Sequence, residues 1–432
     1  MRSLEQKLRR KTAIVGIVGL GYVGLPLALA FSRACFKVLG FDIQQKRVDL
    51  VNKGQSYIAD IDSRSLSAEI DTRGLEATTD QSRLKEVDAI CICVPTPLTR
   101  TKDPELSYVI SESETVSRHL QRGQLVVLES TTYPGTTREV MLPILERSGL
   151  KAGRDFYLAF SPERVDPGSK HFTIKNTPKV VGGIDSKSTK LAELLYSRVA
   201  DVVVPVSSPE VAEMTKVFEN VFRNVNIALV NELTLLCEKM GISVWEVIDA
   251  ASTKPFGYMP FYPGPGIGGH CIPLDPYYLA NKAREYDFHT RFIELAADIN
   301  EQMPYYVVSR IMQALNVRGK SLQKAKVLVL GVAYKKDVED IRESPSLKLI
   351  ALLREKGADV LYNDPYVSNV KISGNRLKSV GLTDRQLASA DCVVIATDHT
   401  CYDYRQIAQQ ASVVFDARGA TRKLRNKNIV RL

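Results

Sequence analysis

The chain has 432 residues, more than one hydrophobic core usually spans, and its 44% hydrophobic and 25% charged composition is that of a globular protein without disordered tracts. A formal net charge of +9 and a pI near 9.0 raise nucleic-acid binding. The lysines and arginines are spread along the whole chain instead of forming a stripe, so no nucleic-acid partner is expected, and a small anionic substrate fits the charge as well.

The uncharged stretch Thr12 to Ser32 follows a basic start and raises a signal peptide or membrane span. Gly16, Gly19, Gly21, Gly24 and Pro26 break any continuous apolar helix there, so neither is expected, and no membrane partner with them. They fall where a βαβ unit needs them: strand Ala13 to Val18, turn Gly19-Leu-Gly-Tyr-Val-Gly24, an apolar helix to about Ala34, and strand Phe36 to Phe41 ending in Asp42. Gly19, Gly21 and Gly24 let the backbone approach a pyrophosphate seated on the helix N-terminus. Asp42, 18 residues past Gly24, is placed to bind a ribose 2′-hydroxyl and repel a 2′-phosphate, which predicts NAD in preference to NADP. Arg47 stands near enough to touch an adenosine phosphate.

Strands follow at Ala89 to Val94 and Leu125 to Glu129, each ahead of a loop rich in Thr and Pro. Cys91 and Cys93 lie in the first of them, where a buried strand is expected and a metal site is not. Seven cysteines, an odd number without paired metal-ligand spacing or an export signal, predict reduced thiols and a cytoplasmic protein.

Ser208-Pro-Glu to Met240-Gly241 predicts one long helix, capped by Ser208, with Pro209 at its first position and Gly241 as its stop. Met214, Phe218, Val221, Val225, Ala228 and Leu229 are read as one stripe, and Lys216, Asn220, Arg223 and Asn224 as another, so the helix is expected to carry an active-site edge and a homodimer contact. The loop Pro263-Gly-Pro-Gly-Ile-Gly-Gly-His-Cys-Ile-Pro-Leu-Asp275 follows. Composition leaves Cys271 open between a buried inert thiol and a nucleophile, and the surrounding glycines, with their backbone N–H donors, favour the second.

The last third repeats the opening layout: strand Lys326 to Gly331, helix Leu347 to Glu355, strand Asp359 to Tyr362 with Asp364, then strands Cys392 to Ala396 and Val413 to Phe415. The expected fold is α/β, two doubly wound Rossmann-like domains joined by a long central helix, with residues 1–206 binding NAD, 207–318 helical, and 319–432 a second nucleotide-type domain. Gly331-Val-Ala-Tyr-Lys-Lys336 is not a full G-x-G-x-x-G, so this second domain is expected to take a different nucleotide.

The Cys loop resembles that of the nucleotide-sugar 6-dehydrogenases, whose form is G-x-G-G-x-C-x-P-x-D. Further blocks match in order: Gly19 to Gly24, Val94-Pro-Thr-Pro97, Glu129-Ser-Thr131, Phe160-Ser-Pro-Glu163, Glu213-Met-Thr-Lys-Val-Phe-Glu-Asn220, and Gly331-x-x-Tyr-Lys-Lys through Asp340-Ile-Arg-Glu-Ser-Pro345. The resemblance implies that Cys271 is the nucleophile, with Lys216, Asn220 and Asp275 around the reacting carbon and Thr131 and Glu163 positioning water. It implies NAD contacts from Tyr22, Val23, Pro95, Thr96, Thr131 and Arg342. Substrate contacts are implied at Glu163, Arg164, Val165, Lys216, Asn220, Tyr262, Gly266, Gly268, Lys335 and Arg418, with the C-terminal domain holding UDP. The implied chemistry oxidises a C6 alcohol to an aldehyde, adds the Cys271 thiolate, oxidises the thiohemiacetal to a thioester and hydrolyses it. Asp275 then serves either as a base toward water or to hold Lys216 charged.

Where the UDP-glucose enzymes usually carry Arg-Ile-Gly, this chain has Lys254-Pro-Phe-Gly-Tyr-Met-Pro-Phe-Tyr262, which is similar to the UDP-N-acetylglucosamine branch that feeds surface polysaccharides. UDP-N-acetylmannosamine and UDP-glucose are the alternatives. A single-step hydroxyacid dehydrogenase or an NAD-binding module are rivals of other classes, and neither needs Cys271.

Overall fold

The computed structural model describes residues 3–58, 61–72, 74–99, 103–165, 171–269 and 272–432, so Cys271 lies outside the described residues. The chain forms two compact units, one of residues 1–219 and 277–288, the other of residues 220–276 and 289–432.

The first unit is built on an eight-stranded sheet: β1 Ile14–Val18, β2 Lys37–Phe41, β3 Leu75–Thr78, β4 Ala89–Ile92, β5 Leu125–Leu128, β6 Tyr157–Phe160, β7 Lys179–Gly183 and β8 Val203–Val206. Their order is β3-β2-β1-β4-β5-β6-β7-β8. Neighbours are parallel except β6 and β7, which pair antiparallel through Phe160 and Gly182. Successive residues of each strand point to opposite faces, so both faces of this covered sheet read as apolar. Val15, Ile17, Cys91 and Val127 pack on one face, and Val18, Ile90, Ile92, Val126 and Leu128 on the other.

Residues 277–288 are fastened to this unit by polar contacts. Tyr278 Oη donates to the carbonyls of Thr96 and Pro97 at 2.8 and 3.0 Å. The buried Lys282 ammonium bridges Glu139 at 2.5 Å and Glu285 at 2.7 Å.

The second unit holds a parallel sheet of β9 Lys326–Leu330, β10 Asp359–Asn363, β13 Cys392–Ile395, β14 Val414–Asp416 and β15 Ile429–Arg431, in the order β10-β9-β13-β14-β15, beside a hairpin of β11 Asn369–Ile372 and β12 Asn375–Lys378. Val327, Val329 and Val394 pack on one face, and Leu328, Leu330, Val393 and Ile395 on the other. The helix Arg291–Asn316 covers the first of these and tolerates Pro304 in its interior. Proline there donates no N–H to the carbonyl of Asn300, and the backbone at Gly266 packs against that carbonyl.

The long helix spans Pro209–Met240, 32 residues, with Ser208 Oγ accepting from Val211 N at its start and Gly241 in a left-handed conformation (φ 69°) past its end. Its exposed apolar stripe runs through Val211, Met214, Phe218, Phe222, Leu229, Leu233, Leu236 and Met240. Val221 and Ala228, expected on that stripe, are buried, because they sit at its inner edge where the helix meets its own unit. Among the described residues, no helix is long and apolar enough to cross a membrane.

Candidate active site

The strand order reverses between β1 and β4 in the first sheet and between β9 and β13 in the second, and ligands of doubly wound sheets bind at the carboxyl ends there. In the first unit the glycine turn follows β1, and Pro95 and Thr96 follow β4. Gly19 has φ 89°, and a Cβ on it would lie 2.6 Å from the Cys93 carbonyl oxygen; a Cβ on Gly24 would lie 1.8 Å from the Gly19 oxygen. These two glycines are required by the protein's own packing. A Cβ on Gly21 would meet nothing within 4 Å, so its bare backbone faces open space, the surface a pyrophosphate needs. Tyr22 is exposed beside it, and Val23 precedes the helix Gly24–Arg33.

Asp42 is buried at the end of β2, with Oδ2 accepting from Leu20 N at 3.1 Å and Oδ1 from Gln44 N at 2.9 Å. Oδ1 keeps a lone pair for a ribose hydroxyl. Arg47 Nη1 pairs with Asp42 Oδ2 at 3.3 Å and lies over the Tyr57 ring. The residues present therefore fit a bound NAD.

Beyond β5 and β6 lies a charged cluster. Lys179 Nζ, buried at the start of β7, is 2.7 Å from Glu129 Oε2 and 3.3 Å from Glu163 Oε2. Glu163 Oε1 accepts from the backbone N–H groups of Arg164 and Val165, each at 2.7 Å. Burial alone would raise the Glu163 pKa, but Lys179, the two N–H donors and Lys216 outweigh it and hold it below the ordinary carboxylate value. At Glu129 burial wins, and its pKa is raised. Burial opposes the charge on Lys179 too, and the two carboxylates overcome that and raise it. Arg164 is fixed by Glu219 at 2.6 Å and by the Pro178 carbonyl. Thr131 follows β5 in the same region.

The long helix carries a buried polar side through Glu213, Asn220, Asn224 and Asn231. Lys216 and Asn220 stand one turn apart, as their spacing predicts. Asn220 Nδ2 donates to Asp275 Oδ2 at 2.5 Å, and Asn224 Nδ2 donates to the Ile272 carbonyl at 3.2 Å. On the other side of the Cys loop, Gly269 N donates to the Arg342 carbonyl at 3.0 Å. Both ends of the loop around residues 270–271 are therefore pinned.

The glycines of this loop answer to packing within the unit. A Cβ on Gly268 would lie 2.6 Å from Tyr334 Cβ and 3.0 Å from the Glu343 oxygen, and one on Gly264 would lie 2.6 Å from Arg418 Nη1; Gly266 has φ 126°. Their absent side chains seat the loop against the segment bearing Lys335 and against Arg418. Tyr262 stacks on Trp245, with ring centroids 5.9 Å apart, and donates to Asp249 at 3.0 Å.

The second switch point has the same plan and a different chemistry. Gly331, φ 82°, packs on Thr397, and Asp364 after β10 takes the place that Asp42 has after β2. Asp364 Oδ2 accepts from Val332 N, Ala333 N and the buried His399, and Oδ1 from Tyr366 N and Val367 N. A carboxylate has about four acceptor positions, so Asp364 has none left for a ribose. The Asp337 N–H donates to His399 Nδ1 at 2.9 Å, which assigns the ring proton to Nε2. Arg418 Nε donates to the Ala396 carbonyl at 2.9 Å, and burial lowers its basicity. Among the described residues no carboxylate lies within ion-pair distance of it, and the more distant Asp398 and Asp416 offset part of the cost of its burial. Arg342 is chelated by Asp340 at 2.6 to 3.0 Å.

Sequence reasoning had not singled out Lys179, Tyr196 or Asn231. Lys179 opens an apolar strand and reads as a flanking residue; its partners are 50 and 16 residues away, and no local pattern signals such pairing.

Comparison with known proteins agrees with this geometry. Residues 13–200 match the NAD binding domain of the UDP-glucose/GDP-mannose dehydrogenase family, residues 210–302 its central domain, and residues 328–423 its UDP binding domain. The chain is 37% identical over 386 residues to the UDP-N-acetyl-D-mannosamine dehydrogenase of Pyrococcus horikoshii, covering 89% of each. It is 34% identical over 413 residues to a UDP-N-acetyl-D-glucosamine 6-dehydrogenase of Pseudomonas aeruginosa, covering 93% of this chain and 96% of that one. The solved structure of a UDP-D-ManNAc dehydrogenase from Pyrococcus horikoshii superposes with a TM-score of 0.89 at 34% identity, over 97% of this chain and 98% of that one. The chain belongs to the UDP-glucose/GDP-mannose dehydrogenase family and is an NAD-dependent UDP-sugar dehydrogenase.

Proposed function

We propose that this chain oxidises the C6 alcohol of UDP-N-acetylglucosamine to the carboxylate, for surface polysaccharide synthesis, through a thioester on Cys271. The observation that carries the mechanism is the buried Asn220–Asp275 hydrogen bond beside a Cys loop pinned at both ends. Two NAD molecules bound in turn at the glycine turn after β1 and Asp42 would supply the hydride acceptors for the alcohol and for the thiohemiacetal.

Cys271 as thiolate bonds to the aldehyde carbon, and the oxyanion that forms is stabilised by the Lys216 ammonium and the Asn220 amide, each worth a few kcal/mol in such sites. Asp275 aims that amide. Thr131 and Glu163 orient water. Its oxygen bonds to the thioester carbon, the C–S bond breaks, the sulfur leaves as thiolate, and both water protons are released as the acid ionises. Lys335 and Arg418 hold the UDP phosphates, with Tyr262, Gly266 and Gly268 lining the approach, while Arg164 and Val165 support Glu163. Gly19, Gly21, Tyr22, Val23, Gly24, Asp42, Arg47, Pro95, Thr96 and Arg342 serve NAD. The division into residues 1–206, 207–318 and 319–432 belongs to the same reading, as does a cytoplasmic location.

The sugar assignment is supported by Lys254 to Tyr262 and by the Pseudomonas relative's name. UDP-N-acetylmannosamine is the second reading, favoured by the Pyrococcus relative's 37% identity. Turnover of UDP-GlcNAc, UDP-ManNAc, UDP-GalNAc and UDP-glucose with NAD and with NADP decides: highest kcat/KM with UDP-GlcNAc and NAD supports the first reading, and a preference for UDP-ManNAc replaces it. The exposed stripe from Val211 to Met240 supports a homodimer through the long helix. Sedimentation of Phe222→Glu/Leu229→Glu as a monomer, against a dimeric parent, is the expected outcome; a monomeric parent removes the homodimer.

A further inference from the structure

The Lys179 ammonium is used by none of these steps, yet it is buried directly behind Glu163. It touches Glu129 and Glu163 at 2.7 and 3.3 Å. Glu129 Oε1 also accepts the phenol of the fully buried Tyr196, whose ring centroid is 5.2 Å from Lys179 Nζ. Lys179 is thus steered by a carboxylate and an aromatic face on one side and presents its charge to Glu163 on the other. A buried ion cluster of this kind is weak evidence of stability, since a well-packed apolar set of similar volume often serves the fold as well or better. What the cluster does provide is orientation. With Oε1 held by two N–H groups and Oε2 by Lys179, the Glu163 carboxylate has one position.

We propose that Lys179 is a positioning residue that fixes the Glu163 carboxylate and thereby sets the rate of thioester hydrolysis, an inference that rests on the reading of Glu163 as the group orienting water. The step it governs is attack of water oxygen on the thioester carbon with expulsion of the Cys271 thiolate. Both oxidations precede that step, so weakening Lys179 leaves them intact.

The test compares Glu163→Gln, Lys179→Met, Lys179→Arg and the charge-balanced Lys179→Met/Glu129→Gln in the full-length enzyme, reading rapid-quench NADH release and the intact mass of quenched protein. The double variant removes a cation together with one anion and keeps the measurement available where the single variant is unstable. Lys179→Met or the double variant is expected to release two NADH per site in a burst, accumulate the acylated mass and lose about 100-fold in kcat with KM falling in parallel so that kcat/KM is kept, while Lys179→Arg retains most activity. Accumulation in Glu163→Gln but not in a folded Lys179 variant overturns the inference alone. No accumulation in Glu163→Gln overturns the reading of Glu163, and the inference with it.

Discussion

Asn220 on the long helix and Asp275 at the start of the helix Asp275–Arg284 meet through a 2.5 Å hydrogen bond with both side chains buried. An amide that donates one proton to a fixed carboxylate has its second donor aimed, and this pre-organisation is what oxyanion stabilisation needs. Asn220→Ala and Asp275→Ala are each expected to lower kcat by roughly 100- to 1,000-fold. The double variant is expected to lose little more than either single one, because the two act as a unit. Steady-state kinetics of the three variants check this, and simple additivity of the losses contradicts it.

The three glycines of the turn after β1 differ in what they do. Gly24→Ala sets a Cβ against the Gly19 oxygen and is expected to cost the fold about 1–3 kcal/mol. Gly21→Ala clashes with nothing in the protein and is expected to leave the thermal midpoint in place while raising the Kd for NAD at least about tenfold, or ~1.4 kcal/mol. Calorimetric titration with parallel melts separates the two. Normal NAD affinity in Gly21→Ala removes the pyrophosphate from that surface.

Gly264→Ala pushes the end of the Arg418 side chain aside, since the new methyl falls 2.6 Å from Nη1. UDP binding is expected to weaken about 10-fold, and about 100-fold in Arg418→Ala, in line with ~1.5–3 kcal/mol for a hydrogen bond to a charged group. Unchanged UDP affinity in both variants takes Arg418 out of the site.

Glu213 is buried under the turn that begins at Gly135, accepting from Gly135 N at 2.6 Å and from Thr137 N and Oγ1 at 2.8 and 2.7 Å. Burial pushes its pKa from 4.5 to about 7, against the pull of those donors. The folded chain therefore holds this proton more tightly than the unfolded chain. The stability that goes with it is full below pH 4.5 and is lost as pH rises through about 7. The loss is on the order of 3 kcal/mol. Thermal midpoints at pH 5 and 7.5 are expected to fall more in the parent than in Glu213→Gln. Equal falls show that Glu213 does not titrate in this window.

Much of the scaffold was legible because its signals are local. Continuous apolar runs ended by glycine, by aspartate or by a loop rich in Thr and Pro marked β1, β2, β4, β9 and β13, and Ser208, Pro209 and Gly241 marked both ends of the long helix. What escaped depended on distant partners. β7 and β8 are short strands whose place is set by pairing across the sheet, and Lys179 takes its meaning from Glu129 and Glu163. The glycines of the Cys loop were expected to admit a ligand, and the contacts at Gly264 and Gly268 are with Arg418 and Tyr334 of the same unit. Composition cannot distinguish those two reasons for a missing Cβ. The parallel between Asp42 and Asp364 was visible in spacing, while the saturation of Asp364 by five donors required coordinates.

The four-electron route through Cys271 is tested most directly by counting NADH formed per UDP-N-acetylglucosamine consumed, in the parent enzyme and in Cys271→Ser. Two NADH per sugar with the uronate as product, and loss of uronate formation in Cys271→Ser, is the predicted result; one NADH per sugar, or near-normal uronate formation without the thiol, contradicts it.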